Sequence, residues 1–202
     1  AAHPKARVGV AVLINVKTGE VLAMYSSPAL NPDDFKGRLS NAKAPYYLPQ
    51  GDYNPMEPGA LKNRAIQGSY PPGSTFKPIT GMAALEKNVM NPLNEFVNCA
   101  GAYWVEPFIR CTGFHGNVNY YSAMAHSCNT YFQEIGRRTG KDEIIRVAAE
   151  FGLGVKTGID LPDETKGQLP TPEGKKQINE IILNQQRDAD KKNINSKYEA
   201  LL

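Results

Sequence analysis

The stretch YPPGSTFKPITGMAALEKN, residues 70–88, places a serine and a lysine three positions apart where a proline-rich approach gives way to a helix. Thr75, Ile79, Met82 and Leu85 recur at the spacing of one partly apolar helix face. Residues i and i+3 are neighbours on such a face, so Lys77 reaches Ser74 if the helix starts at about Ser74. A serine hydroxyl is a weak nucleophile until a neighbouring base takes its proton. A lysine serves as that base only where burial or nearby positive charge lowers its pKa. The start of a helix also offers backbone N–H groups and a positive dipole end, which stabilise an oxyanion. Pro78 falls in the first turn and denies the Ser74 carbonyl its usual helical donor; local rules tend to break at functional sites. By itself, S-x-x-K recurs by chance in many proteins and is only a hypothesis.

Upstream, residues 27–73 are rich in Pro, Gly, Asn and Tyr, with Asn31-Pro32, Asn54-Pro55, Pro58-Gly59 and Pro71-Pro72-Gly73. They predict a long loop region with little regular structure; loops of that length are usually functional or disordered. Residues 8–26 predict a β-hairpin: VGVAVLINV, a turn at Lys17-Thr18-Gly19-Glu20, and VLAMYS returning. A two-stranded hairpin is marginal alone, and its missing sheet partners are expected beyond Leu202.

Downstream, residues 92–118 read as loop and short strand. Asn119 is a suitable N-cap for a helix from Tyr120. Further helices are predicted over 129–139, with Gly140 as the stop, and over 142–151, with Gly152 just past the end. Residues 154–172 return to loop. From Glu173 the composition shifts: six basic and five acidic residues predict a long polar helix with apolar contacts at Ile178, Ile181, Ile182, Ile194 and Tyr198. The chain thus divides into a main body, 1–172, and a helical extension or insertion, 173–202. A hairpin followed by helices gives an α/β (α+β) class that is incomplete in this chain.

The 202 residues suffice for one domain with a sizeable core. With 41% hydrophobic and 21% charged residues the chain is ordinary globular protein. A net charge of +3 is too small to argue for nucleic acid as a partner. No stretch approaches the roughly 20 apolar residues of a membrane span. No leader pattern opens the sequence, and it lacks an initial Met, as expected of a chain trimmed from a longer one.

Ser127-Cys128-Asn129 sits between two predicted helices, where a hydroxyl and an amide can share a cleft. S-x-x-K followed some fifty residues later by S-x-N resembles the active site of penicillin-binding proteins and the related serine β-lactamases. The likeness runs further. NRAIQGSYPPGSTFKPIT (63–80) is similar to the nucleophile segment of class B penicillin-binding proteins, and VLAMYSSPALNPDDF (21–35) to their hairpin and following loop. AMAHSCNTYFQEIG (123–136) and FGLGVKTGIDLPDETKGQLPTP (151–172) resemble their second-motif segment and the stretch after it.

That resemblance implies the N-terminal part of a transpeptidase domain with the penicillin-binding protein/serine β-lactamase-like fold. Ser74 would attack the penultimate D-Ala carbonyl of a stem peptide, expel D-Ala, and pass the acyl group to an amine on a neighbouring strand. Lys77 would be the base, Ser127 a proton relay to the leaving group, and Asn129 a hydrogen-bonding partner of substrate and of Lys77. β-Lactam antibiotics would acylate Ser74. The other implied partners are peptidoglycan stem peptides, the cell-wall synthesis machinery, and the rest of the domain, supplied in cis or by a second chain. The implied location is the extracytoplasmic face of the bacterial membrane, held by an anchor outside this chain; no cofactor is required. A serine β-lactamase or β-lactam sensor of the same fold is the alternative enzyme, and a non-catalytic peptidoglycan-binding module the alternative outside enzymes.

The family's third motif is Lys-Thr/Ser-Gly on a strand. Lys156-Thr157-Gly158 matches the letters, but it follows too soon after Asn129 and lies in a predicted loop, so it reads as a surface turn. The 202 residues alone are therefore expected to turn over little substrate. Cys99, Cys111 and His115 fall within seventeen residues and suit a structural Zn²⁺, with Glu106 or another group as fourth ligand. A Cys99–Cys111 disulfide and free thiols remain open beside it. Cys128 reads as cleft lining and His126 as packed on its own helix.

Overall fold

The computed structural model describes residues 8–48, 59–169 and 171–199. Asn54-Pro55 and Pro58 lie outside the described residues, as do the side chains of Ile178, Ile181 and Tyr198 and anything beyond Leu202. The chain forms two compact units.

The first unit comprises Ala1–Tyr70 and Gly158–Thr165. Its hairpin pairs β1 (Gly9–Ile14) antiparallel with β2 (Val21–Ser27), Gly9 facing Ser27, with a bulge at Leu13/Ile14. Gly19, at φ +79°, takes the left-handed position of the turn. Val12 and Leu13 point to opposite faces of the hairpin, and both are exposed, at 43% and 58%. Among the described residues, all of β1 and most of β2 remain exposed, less cover than a stable two-stranded sheet requires.

Residues 27–73 contain more regular structure than their composition predicts. A 3₁₀ turn spans Pro32–Phe35, α1 spans Ala44–Tyr47 and α2 spans Arg64–Gln67. Asn31 and Asn63, read from sequence as loop residues, are N-caps: their side chains accept the N–H groups of Asp33 and Ala65. The approach to α2 is tied to the hairpin through Ser26, whose hydroxyl donates to the Lys62 carbonyl at 3.2 Å and accepts the Arg64 N–H at 3.2 Å. Residues 158–165 join this unit where the Thr165 N–H bonds the Ile66 carbonyl at 2.8 Å.

The second unit comprises Pro71–Thr157 and Lys166–Leu202. It contains α3 (Lys77–Glu86), a small antiparallel pair of β3 (Val97–Cys99) and β4 (Gly116–Val118), then α4 (Tyr120–Ala125), α5 (Asn129–Thr139), α6 (Lys141–Glu150) and α7 (Pro172–Glu199). Asn119 caps α4 with a reciprocal pair of bonds to Ser122. Gly140, at φ +81°, ends α5, and α6 runs one residue ahead of its predicted span.

The core gathers Ala84 from α3, Val97 and Cys99 from β3, Val118 from β4, and Tyr131, Phe132 and Ile135 from α5. Full burial of such side chains contributes about 1.5–3 kcal/mol each. Gly81 lets α3 approach α4: a Cβ there would lie 2.6 Å from the Tyr120 ring. Inside α5 the buried Glu134 carboxylate accepts bonds from Tyr103 (2.7 Å), Arg137 (2.9 Å) and Arg138 (2.6 Å). Those partners, the Arg137 guanidinium foremost, hold its pKa down at about 2. The 28-residue α7 is about 42 Å long, and it exposes Ile182, Leu183 and Ile194.

Candidate active site and an adjoining sulfur cluster

Ser74 sits in a 3₁₀ turn, Gly73–Phe76, and α3 begins only at Lys77. This corrects the expectation of an α-helix from Ser74. In a 3₁₀ turn residues i and i+3 eclipse, which carries Lys77 Nζ to 3.1 Å from Ser74 Oγ. The turn also supplies a donor to the Ser74 carbonyl, the Lys77 N–H, so this carbonyl is not left unpartnered by Pro78.

The end of α4 and the start of α5 bring the second motif to the same lysine. Ser127 adopts φ +52°, uncommon for a residue with a side chain. Both of its oxygens face Lys77: the carbonyl at 2.6 Å and Oγ at 2.9 Å. Asn129, first residue of α5, places Oδ1 2.8 Å from Lys77 Nζ and donates Nδ2 to the Arg110 carbonyl at 3.1 Å. Ser127 Oγ donates to Ser74 Oγ at 2.9 Å. All four residues read from the sequence, Ser74, Lys77, Ser127 and Asn129, thus converge.

This arrangement suits a lysine that loses its proton. Two of the four oxygens around Nζ, the Ser127 carbonyl and Asn129 Oδ1, only accept. They take up the two N–H groups of a neutral amine, and its lone pair is left for the serine hydroxyls. Burial lowers the Lys77 pKa, against a smaller opposing effect of the Cys111 and Cys128 thiols. The expected neighbouring positive charge is not among the causes; desolvation alone moves the lysine toward neutrality. The Phe132 ring lies 5.7 Å from Nζ on the buried side.

Lys156-Thr157-Gly158 lies in an irregular, exposed segment with no strand.

Behind the second motif is a cluster that the sequence only half reveals. Cys99, Cys111, His115 and Cys128 bring their ligand atoms within 4.8 Å of one another. His115 Nδ1 is 3.6 Å from Cys99 Sγ and 3.5 Å from Cys111 Sγ, and the Cys111 and Cys128 sulfurs are 3.9 Å apart. The three sulfurs are unbridged. A tetrahedral Zn²⁺ with ordinary bond lengths spaces two sulfurs about 3.7 Å apart and sulfur from nitrogen about 3.5 Å apart. The donor set therefore fits zinc in kind and in these three separations, within a cluster that spreads to 4.8 Å.

Two expectations change here. The fourth donor in the cluster is Cys128, fully buried rather than lining a cleft, while Glu106 is exposed on the loop. His126 stacks on His115, with ring centroids 5.3 Å apart, rather than packing on its own helix. The alternation along 127–129, with Ser and Asn toward the lysine and Cys away from it, is the signal that could have found Cys128.

Burial opposes ionisation of Cys111, but bonds from the backbone N–H groups of Thr130, Asn129 and Gly113 and from Cys99 outweigh it and bring its pKa to about 6. Burial pushes Cys128 the other way, to about 12.

The family model of the penicillin binding protein transpeptidase domain matches residues 9–186. The peptidoglycan D,D-transpeptidase MrdA of Acinetobacter baumannii is 36% identical over 177 residues, 84% of this chain and 25% of MrdA. The crystal structure of Pseudomonas aeruginosa PBP2 in complex with WCK 5153 matches with a TM-score of 0.70 and 31% identity, over 87% of this chain and 39% of that one. A complex between PBP2 and MreC from Helicobacter pylori matches with a TM-score of 0.70 and 30% identity, over 82% of this chain and 30% of that one. The chain spans about a quarter of the length of the curated relatives it matches.

Proposed function

The chain belongs to the penicillin-binding protein transpeptidase domain family, in its class B branch and with its α+β fold, and from that premise we propose that it carries the nucleophile of a serine D,D-transpeptidase that cross-links peptidoglycan. One observation carries this reading: Lys77 Nζ lies 3.1 Å from Ser74 Oγ while two acceptor-only oxygens occupy its N–H groups.

Lys77 takes the Ser74 proton as Oγ attacks the penultimate D-Ala carbonyl. Ser127, bonded to both, passes a proton to the departing D-Ala amine. An amine of a second stem peptide then attacks the acyl-Ser74 ester and releases the enzyme. Asn129 holds Lys77 and offers its amide to the substrate. β-Lactams enter the same first step and stop there as acyl adducts.

The remaining parts of the reading follow from the same premise. Residues 1–172 form the N-terminal portion of the domain and 173–202 a helical extension or insertion. The third motif and the strands that cover the exposed hairpin come from outside 1–202. The protein works on the extracytoplasmic face of the bacterial membrane through an anchor outside this chain; among the described residues no helix is long and apolar enough to cross a membrane. Partners in the cell-wall machinery are in keeping with the solved PBP2–MreC complex. Cys99, Cys111, His115 and Cys128 hold a structural zinc, which would fix the loop carrying Arg110 and the start of α5; the acyl-transfer chemistry itself needs no cofactor.

The test is intact mass after incubation with a fluorescent penicillin, on the wild type and on Ser74→Ala. A single adduct that is absent from the mutant is expected once the missing strands are present, so the chain is tested both alone and extended past Leu202. Slow release of the adduct separates a transpeptidase from a β-lactamase. No adduct on the extended chain would overturn the reading in favour of a binding module.

A further inference from the structure

The polar site and the sulfur cluster share a stretch of backbone. Cys128 lies between Ser127 and Asn129, and its sulfur contacts Cys111 while both neighbours bond Lys77. Cys111 adds a second tie, because its sulfur accepts the Asn129 N–H at 3.2 Å. The two sulfurs are 3.9 Å apart, so a disulfide of about 2.05 Å requires a closure of about 2 Å. Cys99 and Cys128 are fully buried while Cys111 is only partly so, and a reagent arriving from solvent meets Cys111 first.

We propose that Cys111 and Cys128 form a thiol–disulfide switch on the transpeptidase site, guarded by the metal that the same thiols bind. This rests on the reading of Ser74 as nucleophile given above. With zinc bound, the sulfurs are held at metal-ligand spacing and Ser127 and Asn129 stay on Lys77. Without it, a low-molecular-weight disulfide such as oxidised glutathione oxidises the pair.

The Cys111 thiolate attacks one sulfur of the reagent and expels a thiolate, giving a mixed disulfide. Cys128 then attacks the Cys111 sulfur, expels the second thiolate, and its proton passes to that leaving group. Two protein thiols are oxidised and one disulfide is reduced to two thiols. The closure falls on residue 128 as well as 111. The Lys77 bonds to Ser127 and Asn129, at 2.6 to 2.9 Å, do not survive a displacement of about 1 Å. The oxidised site loses the groups that hold and relay its proton.

The experiment treats zinc-free protein, in the length that takes penicillin label, with oxidised glutathione, and maps peptides without reduction. A Cys111–Cys128 cross-linked peptide is expected. Ser74 labelling should fall at least tenfold and return with dithiothreitol, and zinc-loaded protein should resist both changes. Cys111→Ser, compared with its own untreated sample, should lose no labelling on oxidation. The proposal is overturned if no such peptide forms, if it forms with labelling unchanged, or if Cys111→Ser is inactivated as wild type is. If reduced protein takes no label at any length, the Ser74 reading fails by itself, and the map decides the switch: a zinc-protected Cys111–Cys128 link supports it and any other pattern overturns it.

Discussion

Two four-residue clusters meet at the start of α5, and they are built in opposite ways. Ser74, Lys77, Ser127 and Asn129 surround one nitrogen with oxygens, and Ser74 is open to solvent. Cys99, Cys111, His115 and Cys128 surround a point with soft donors, and two of the three sulfurs are fully buried. The oxygens of the first suit a lysine that gives up a proton, and the donors of the second suit a soft cation. Residues 127–129 serve both, facing Lys77 through Ser127 and Asn129 and the cluster through Cys128.

The largest expected effect breaks the polar cluster alone. Lys77→Ala should slow acylation of Ser74 by a fluorescent penicillin by about 10²–10⁴-fold, the range for loss of a positioned base. It should leave zinc content unchanged. An effect below tenfold would remove Lys77 from the base role.

The next breaks the sulfur cluster. His115→Ala should abolish stoichiometric zinc in metal analysis. Chelating zinc from wild type should also lower thermal stability. Zinc at a thousand times its dissociation constant adds about 4 kcal/mol, which for a domain of this size is on the order of 10 °C in Tm. Equal melting of chelated and zinc-loaded protein would leave the cluster without a structural role.

A third expectation lies away from both clusters and sets their scale. Glu134 is buried in α5 and bonded to Tyr103, Arg137 and Arg138. Glu134→Gln keeps the shape but removes the charge, and should cost about 2 kcal/mol in denaturant unfolding, below the ~3–5 kcal/mol of a fully buried pair because Arg137 is largely exposed. Penicillin labelling of the folded variant should be unchanged.

The two clusters also differ in how legible they were. The polar one could be read because its residues come in tight local patterns, Ser74 with Lys77 and Ser127 with Asn129, and each pattern sits beside a helix start that Gly, Pro and Asn announce. The hairpin and most of the helices followed from periodicity and caps for the same reason. The sulfur cluster draws on β3, the loop before β4 and the residue before α5, so its spacing matches no local pattern. Cys128 was hidden further because its neighbours had already claimed the triplet. The short helices within residues 27–73 were missed because Asn serves equally as turn former and N-cap, and only the partner N–H tells which.

The smallest effect, and the one that separates the clusters most finely, is pH. Burial lowers the Lys77 pKa from its ordinary value of 10.5. The unfolded chain therefore holds this proton at pH values where the folded protein has lost it. Stability then rises with pH across the window between the lowered pKa and 10.5, and below that window the folded state carries the full penalty of a buried ammonium. The acylation rate should rise with pH in the same direction, because the neutral amine is the active form. Lys77→Met removes both the penalty and the base, so a stability profile of Lys77→Met subtracted from that of wild type should slope upward with pH and isolate this one group. A flat difference would mean that Lys77 keeps an ordinary pKa.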